Sequence, residues 1–360
     1  MSLTRPALTP LPVLPDLKRA RRVGLTKRTS RIPLLSVVIV NYRQWQETAR
    51  LTRQILRSSG AEQGIIEVVV VDNHSPPHRL LSRLRRWDGV SVRRWKRNRG
   101  FAQAVNEGCR LSRGGWFLVL NPDVTLAPGL LDGVLAFVER LKIRESRTGI
   151  VGFQLRNADG SLQLSSGHFP TLGSTLRRLL LPRPRRKYDS PPTHIPSRVS
   201  WVTGCCLLLR RACVEETAGF DEDFFLYYED VDFCRRAHDH GWLVRYEPSW
   251  HATHHSPLHS RPVSFPMRLV TRHALLTYSA KHWPRWQFRL LSGIVRVESW
   301  LRRQWALLCG DVAKANRWSE LAKVASDVTA GRSAKALRRV RQAMQLQKRL
   351  DAGMPTAAMV

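Results

Sequence analysis

From Leu34 onward the chain alternates short apolar runs with stretches of mixed polarity, a rhythm that predicts strands separated by helices. Leu35 to Val40, Ile65 to Val71 and Trp116 to Leu120 are close to continuously apolar, as strands buried on both faces are, and Val90 to Arg94 reads as a further short strand between them. A polar helix ending at Ser58, a basic one before Val90 and a third before Trp116 fill the intervals. That alternation predicts βαβ units and a mostly parallel sheet, whose ligands bind beyond the carboxyl ends of the strands.

Beyond Val124 the pattern loosens. A helix is expected from Pro128 to Arg140 and a strand from Ile150 to Gln154. A long polar stretch then runs to Pro196 and contains the basic segment from Arg183 to Lys187; such a length reads as a lid or an excursion. Trp201 to Leu209 predicts a single strand, followed by a helix, the acidic run Tyr227 to Asp232 and a helix ending at Gly241. A short strand from Leu243 to Glu247 and a His-rich turn from His251 to His259 come next. Met267 to Cys309 has helical periodicity, and its Leu290, Leu291, Ile294, Val297, Trp300, Leu301 and Trp305 recur among arginines, as on a membrane-surface helix or on one packed against a core. The division that follows is a flexible basic arm over 1–32 and an α/β catalytic domain over 33–262. Its nucleotide-binding half is 33–125 and its acceptor half 126–262; an amphipathic helical segment over 263–310 and a basic helical tail over 311–360 complete the chain.

Composition changes this picture in one respect. The chain of 360 residues carries 59 Lys and Arg against 28 Asp and Glu, a formal charge of +31. Such a surface favours polyanions or anionic lipid headgroups, yet the arginines are spread along the chain rather than gathered on one groove-reading module, so no nucleic acid partner is expected. Six cysteines without paired C-x-x-C spacing read as reduced core thiols. No apolar run approaches the roughly 20 residues of a membrane span, and the N-terminal segment has no signal-peptide core. A cytoplasmic location is expected, with peripheral contact to the inner face of the cytoplasmic membrane as its variant.

Four polar clusters fall at strand ends: Asn41-Tyr42, Asp72-Asn73, the segment from Asn98 to Ala102, and Asn121-Pro122-Asp123. A strand-tip carboxylate at Asp72 can accept hydrogen bonds from a nucleoside. Asp123 offers one hard oxygen ligand, which suits Mg²⁺ or Mn²⁺ bridging phosphates. Between Gly219 and Asp232 six carboxylates stand among aromatic residues, in a chain otherwise short of acid. Aromatic packing raises a carboxylate's pKa and Arg235 and Arg236 lower it, so Glu229 or Asp230 is a candidate base; the same acids also suit a helix N-terminus. His251, His254, His255 and His259 lack the spacing of a zinc site. A Walker A loop and a Gly-rich dinucleotide fingerprint are absent from the sequence.

Six segments, in order, resemble the motifs of inverting family 2 glycosyltransferases with the GT-A fold, most closely a bacterial rhamnosyltransferase-like branch. They are Val37 to Tyr42, Val70 to Ser75, Asn98 to Gly108, Leu118 to Asp123, Trp201 to Gly204 and Gly219 to Arg235. The resemblance implies a GT-A nucleotide-diphospho-sugar transferase fold followed by C-terminal helices. It makes Asn41, Tyr42, Asp72, Asn73, Asn98, Gly100, Phe101, Asn106 and Asn121 the nucleotide-sugar-binding candidates. It also implies that Asp123 holds the metal in place of a D-x-D motif, that Asp230 is the base with Glu229 beside it, and that His254 lies near the metal and diphosphate. Ser256-Pro257 replaces the family's Gly-containing turn and leaves His255 as the alternative to His254. The implied reaction moves a sugar, rhamnose from dTDP-rhamnose in the leading version, to a hydroxyl of a lipid-linked or cell-envelope glycan. A basic nucleic-acid-binding scaffold and a nucleotidyltransferase are the competing readings; the first leaves the acidic run unexplained, and the second lacks its phosphate loop.

Overall fold

In the computed structural model, which describes residues 32–144, 146–180, 195–255 and 264–351, the four expected strands are β1 (Leu35–Asn41), β2 (Ile66–Asp72), β3 (Val90–Arg94) and β4 (Trp116–Leu120). They pair in parallel in the order β3-β2-β1-β4. Every residue of β1 and β4 is buried, because helices cover both faces of the sheet, and this is why no polar alternation marks them. The helices are α1 (Trp45–Leu56), α2 (Ser59–Glu62), α3 (Arg79–Leu84) and α4 (Phe101–Leu111).

The sheet continues with strands from the second half. In chain order these elements are β5 (Val124–Leu126), α5 (Leu130–Arg144), β6 (Thr148–Arg156), β7 (Leu162–Gln163), β8 (Ser166–Gly167), α6 (Leu172–Leu180), β9 (Ser197–Arg198), β10 (Trp201–Val202), β11 (Cys206–Arg210), α7 (Arg211–Glu216), α8 (Glu229–Asp239) and β12 (Leu243–His254). The full order is β3-β2-β1-β4-β11-β6-β12-β5, with β11 antiparallel to both neighbours. Reversal of β11 brings its N-terminal end to the edge where β1, β2 and β4 present their C-terminal ends.

Three expectations are corrected here. Trp201 to Leu209 is not one strand: β10 pairs with β8 in a separate two-stranded sheet, and the chain turns through Thr203 to Cys205 before β11. The described part of the His-rich turn begins as strand, since β12 runs on to His254; the register of β12 shifts between Glu247 and His251, where Pro248 can donate no ladder hydrogen bond. The polar stretch before Pro196 is not one long loop, because its described part holds β7, β8 and α6. The arm before residue 32, the Arg183 to Lys187 segment, Ser256-Pro257 and His259 lie outside the described residues.

The C-terminal periodic segment is two helices, α9 (Phe265–His282) and α10 (Arg285–Leu308), parted at Trp283-Pro284. They are followed by α11 (Val312–Thr329) and α12 (Ser333–Asp351). Leu276, Val295, Trp318, Leu321 and Val340 share one core with Leu172 and Phe225, so the described part of the expected tail packs against the α/β portion. None of the described helices is long and apolar enough to cross a membrane. Five of the six free cysteines are buried and Cys309 is exposed; burial pushes the thiols of Cys109, Cys206 and Cys213 up to about 12.

Candidate active site

The strand ends of β1, β2 and β3 lie in register, Asn41 beside Asp72 and Asp72 beside Arg94. Asn41 Nδ2 donates to Asp72 Oδ1 at 2.9 Å and to Ser75 Oγ at 3.1 Å, while Arg94 Nε donates to Asp72 Oδ2 at 3.1 Å. Asn41 and Asp72 are both 0% exposed. A buried carboxylate is tolerable when it is paired and hydrogen-bonded, as this one is. As they stand, these two side chains brace the edge at which the sequence expects a nucleoside.

Asn73 and Asn106 also turn inward. Asn73 Oδ1 accepts from Arg99 N at 2.8 Å and its Nδ2 donates to Gly100 O at 3.0 Å. Asn106 clamps the backbone of Phe220, accepting from its N and donating to its O, both at 2.8 Å. Tyr42, Asn98, Phe101 and Asn121 remain half-buried, and Asn98 Oδ1 accepts from Gly100 N at 2.9 Å.

Asp123 follows β4 and meets the far end of β12. His254 is paired in register with Val124, and its Nε2 lies 3.5 Å from Asp123 Oδ1. On the other side of the ring, His254 Nδ1 contacts the Gln163 side-chain amide at 3.2 Å, which would fix the imidazole with Nε2 toward the carboxylate. Alternation along the strand sends His255 the opposite way, where its Nε2 meets Thr125 Oγ1 at 2.8 Å. Of the two histidines, His254 is the one that faces Asp123. One carboxylate and one imidazole fit a divalent ion that completes its shell with phosphate and water. The described residues hold no group of three or more metal-ligating side chains, so a fully protein-enclosed ion does not fit them.

Two consecutive left-handed residues, Tyr227 and Tyr228, kink the chain immediately before α8. The kink places Glu229 and Asp230 in the first helical turn, Glu229 buried and Asp230 half-buried. Asp230 Oδ2 accepts from Gly204 N at 3.0 Å and Oδ1 from Val231 N at 2.9 Å, so the break between β10 and β11 supplies one of its amide partners.

Arg236, expected to tune this pair, binds Asp232 instead: Nε donates to Asp232 Oδ2 at 2.8 Å. His282 Nε2 reaches Asp232 Oδ1 at 2.8 Å. Burial pushes the Asp232 pKa up, but the hydrogen bond from His282 and the charge of Arg236 outweigh it and leave the carboxyl below its ordinary value. Lys281 pairs with Asp221 and Asp223, and Trp283 Nε1 donates to Pro170 O at 2.8 Å. Three successive residues at the end of α9 thus tie down the acidic loop, the helix that carries Asp230 and the segment before α6.

A family model for glycosyl transferase family 2 matches residues 36–216, from β1 through α7. The chain belongs to this family. Its sheet is the mostly parallel one of the GT-A fold, and the basic-scaffold and nucleotidyltransferase readings fall away. Among relatives, the N-acetylglucosaminyl-diphospho-decaprenol L-rhamnosyltransferase of Mycobacterium tuberculosis is 31% identical over 242 residues, 62% of this chain and 76% of that protein. The rhamnosyltransferase WbbL of Escherichia coli is 25% identical over 152 residues, 42% of this chain and 56% of that one. These relatives support the rhamnosyltransferase-like branch. A crystal structure of S. aureus TarS is similar with a TM-score of 0.47 at 16% identity, over 89% of this chain and 92% of that one, too distant a likeness to carry any residue's role across. The family match ends before α8 and β12, so Asp230 and His254 are candidates by geometry and motif alone.

Sequence reasoning on this glycosyltransferase passed over Ser75, Arg94, Gln163 and His282. Ser75 closes the Val70 to Ser75 segment and Arg94 ends a strand; Gln163 and His282 carry no local signal. Gly100 proves more constrained than its place in a turn implies. Its φ is +99°, and an added Cβ would lie 2.6 Å from Phe225 O, the atom that accepts from Phe101 N. Gly100→Ala is expected to destabilise the fold by at least about 1–3 kcal/mol through the backbone alone. An unchanged urea midpoint would contradict that packing.

Proposed function

We propose that this glycosyltransferase inverts the anomeric centre of rhamnose supplied as dTDP-rhamnose and depends on Mg²⁺ or Mn²⁺. Its proposed acceptor is a hydroxyl of a lipid-linked diphospho-sugar or another cell-envelope glycan. The observation that carries the reading is the apposition of Asp123 and His254 at 3.5 Å, on the sheet edge that also presents Asp230 through Gly204. The branch of relatives supports the sugar, and the printed acceptor of the mycobacterial relative, a diphospho-decaprenol, supports the lipid-linked class.

In this reading Asp123 and His254 hold the ion, which when bound offsets the charge developing on the departing diphosphate. Asp230 accepts the proton of the acceptor hydroxyl as its oxygen bonds to the anomeric carbon from the face opposite the leaving group. The bond from that carbon to the diphosphate oxygen breaks, and dTDP leaves. One displacement inverts the centre. Tyr42, Asn98, Phe101 and Asn121 are the side chains proposed to meet the nucleotide, with Asn41, Asp72, Asn73 and Asn106 holding the edge behind them.

Thermal-shift screening of dTDP, UDP and GDP with and without Mn²⁺ tests the donor. dTDP with Mn²⁺ is expected to raise the melting midpoint most, by the linkage of ligand binding to stability. A larger shift with UDP or GDP overturns the dTDP assignment, and a shift independent of Mn²⁺ overturns the metal. The anomeric configuration of the product, read by NMR, decides inversion.

A further inference from the structure

Helix α10 is built inside out. Leu291, Ser292, Val295, Ser299 and Ala306 are its buried residues, so the stripe facing the bundle is short of bulk and includes two serines. Ser292 shares a hydrogen bond with Thr329 of α11, and Ser299 Oγ donates to the Val295 carbonyl of its own helix at 2.7 Å. The opposite stripe holds Trp286, Leu290, Val297, Trp300, Leu301 and Trp305, which are 47% to 66% exposed. Their spacing gathers them on one face. Arg285, Arg289 and Arg296, also exposed, follow one another at intervals of four and seven and line one edge of that face. A helix serving only the core would turn its widest apolar stripe inward. A contiguous apolar patch left in solvent marks an interaction surface.

We infer that this face of α10 docks on an anionic lipid surface. Tryptophans and leucines enter the boundary between headgroups and acyl chains while the arginine row meets the lipid phosphates. Charge selects this occupant over a second copy of the chain, since self-association would bring together two molecules each carrying a formal charge of +31. The docking rests on the exposed face alone; its use, delivering the crevice to a lipid-linked acceptor, rests on the function proposed above. α10 follows directly on Lys281, His282 and Trp283, the residues that hold the acidic loop and α8. The docking face and Asp230 therefore belong to one braced block.

The test is flotation of the full chain with phosphatidylglycerol-containing vesicles against pure phosphatidylcholine vesicles, at low and high salt. Preferential flotation with phosphatidylglycerol at low salt is expected. Trp300→Glu with Trp305→Glu should lower the partition coefficient about tenfold or more, and Arg289→Glu with Arg296→Glu should remove most of the preference for the anionic lipid. Both variants should keep the melting midpoint and the Mn²⁺-dependent response to dTDP, which separates failure of docking from failure of the proposed donor and metal. The inference is overturned if the full chain floats with neither vesicle. It is equally overturned if the tryptophan variant floats like the native chain, which would place the binding elsewhere on the basic surface. A native dimer by light scattering that this variant makes monomeric, without flotation, would identify the face as a contact between copies instead.

Discussion

Asp230→Asn is expected to bind donor nucleotide as the native chain does and to lose transfer by about 10²- to 10⁴-fold, the range general-base assistance typically supplies. The site gives this variant a particular signature. Both carboxylate oxygens accept from backbone amides, those of Gly204 and Val231, and the amide side chain keeps only one acceptor. About 1 kcal/mol of stability should go with the lost hydrogen bond, so melting is measured beside turnover. A loss of activity far larger than a shift of that size can explain identifies the proton acceptor. Near-native turnover in Asp230→Asn, with Glu229→Gln inactive, would move the role to the buried neighbour. The other carboxylates of the segment are poor rivals: Asp221 and Asp223 face Lys281, Glu222 accepts from Asn106, and Asp232 is held between Arg236 and His282.

The same loop illustrates what the sequence could and could not convey. Strands β1, β2 and β4 were legible because burial on both faces makes each a mostly apolar run, β3 was legible by its two valines and its place between helices, and the polar residues that end the strands were legible as an edge. Their direction was not. Asp72 takes Arg94 from the next strand, and Asn106 finds Phe220 more than a hundred positions away; partners so remote leave no local pattern from which these contacts could be read. The break at Gly204 was hidden because the segments on either side of it are buried and apolar alike. For α10 the period was plain, but a stripe of tryptophan and leucine and a stripe that mixes Leu291 and Val295 with serine and alanine repeat with the same spacing. Which of them faces the bundle is decided by α11, which no periodicity within α10 can report.

Asp123→Ala is expected to abolish the Mn²⁺-dependent part of donor-nucleotide affinity. Losing even an outer-shell partner of a metal ligand typically costs about 10- to 100-fold in metal affinity, so removal of one of the two proposed protein ligands should cost at least that. The position allows a clean reading. The Asp123 backbone carbonyl, which accepts from His255 N, is retained by alanine, and so are the backbone ladder of β5 with β12 and the Thr125 to His255 contact beside it. The substitution thus removes a carboxylate from a buried pair without unseating the strands. Its loss also leaves the His254 ring held by Gln163 but facing no anion, so a residual weak Mn²⁺ response in Asp123→Ala that vanishes in His254→Ala would assign the second ligand. Calorimetric titration of dTDP with Mn²⁺ and with chelator decides the matter: native and Asp123→Ala chains should differ with the ion and agree without it. The same Mn²⁺-dependent affinity in both would remove Asp123 from the metal site and leave the Asp123–His254 contact as a structural pair between β5 and β12.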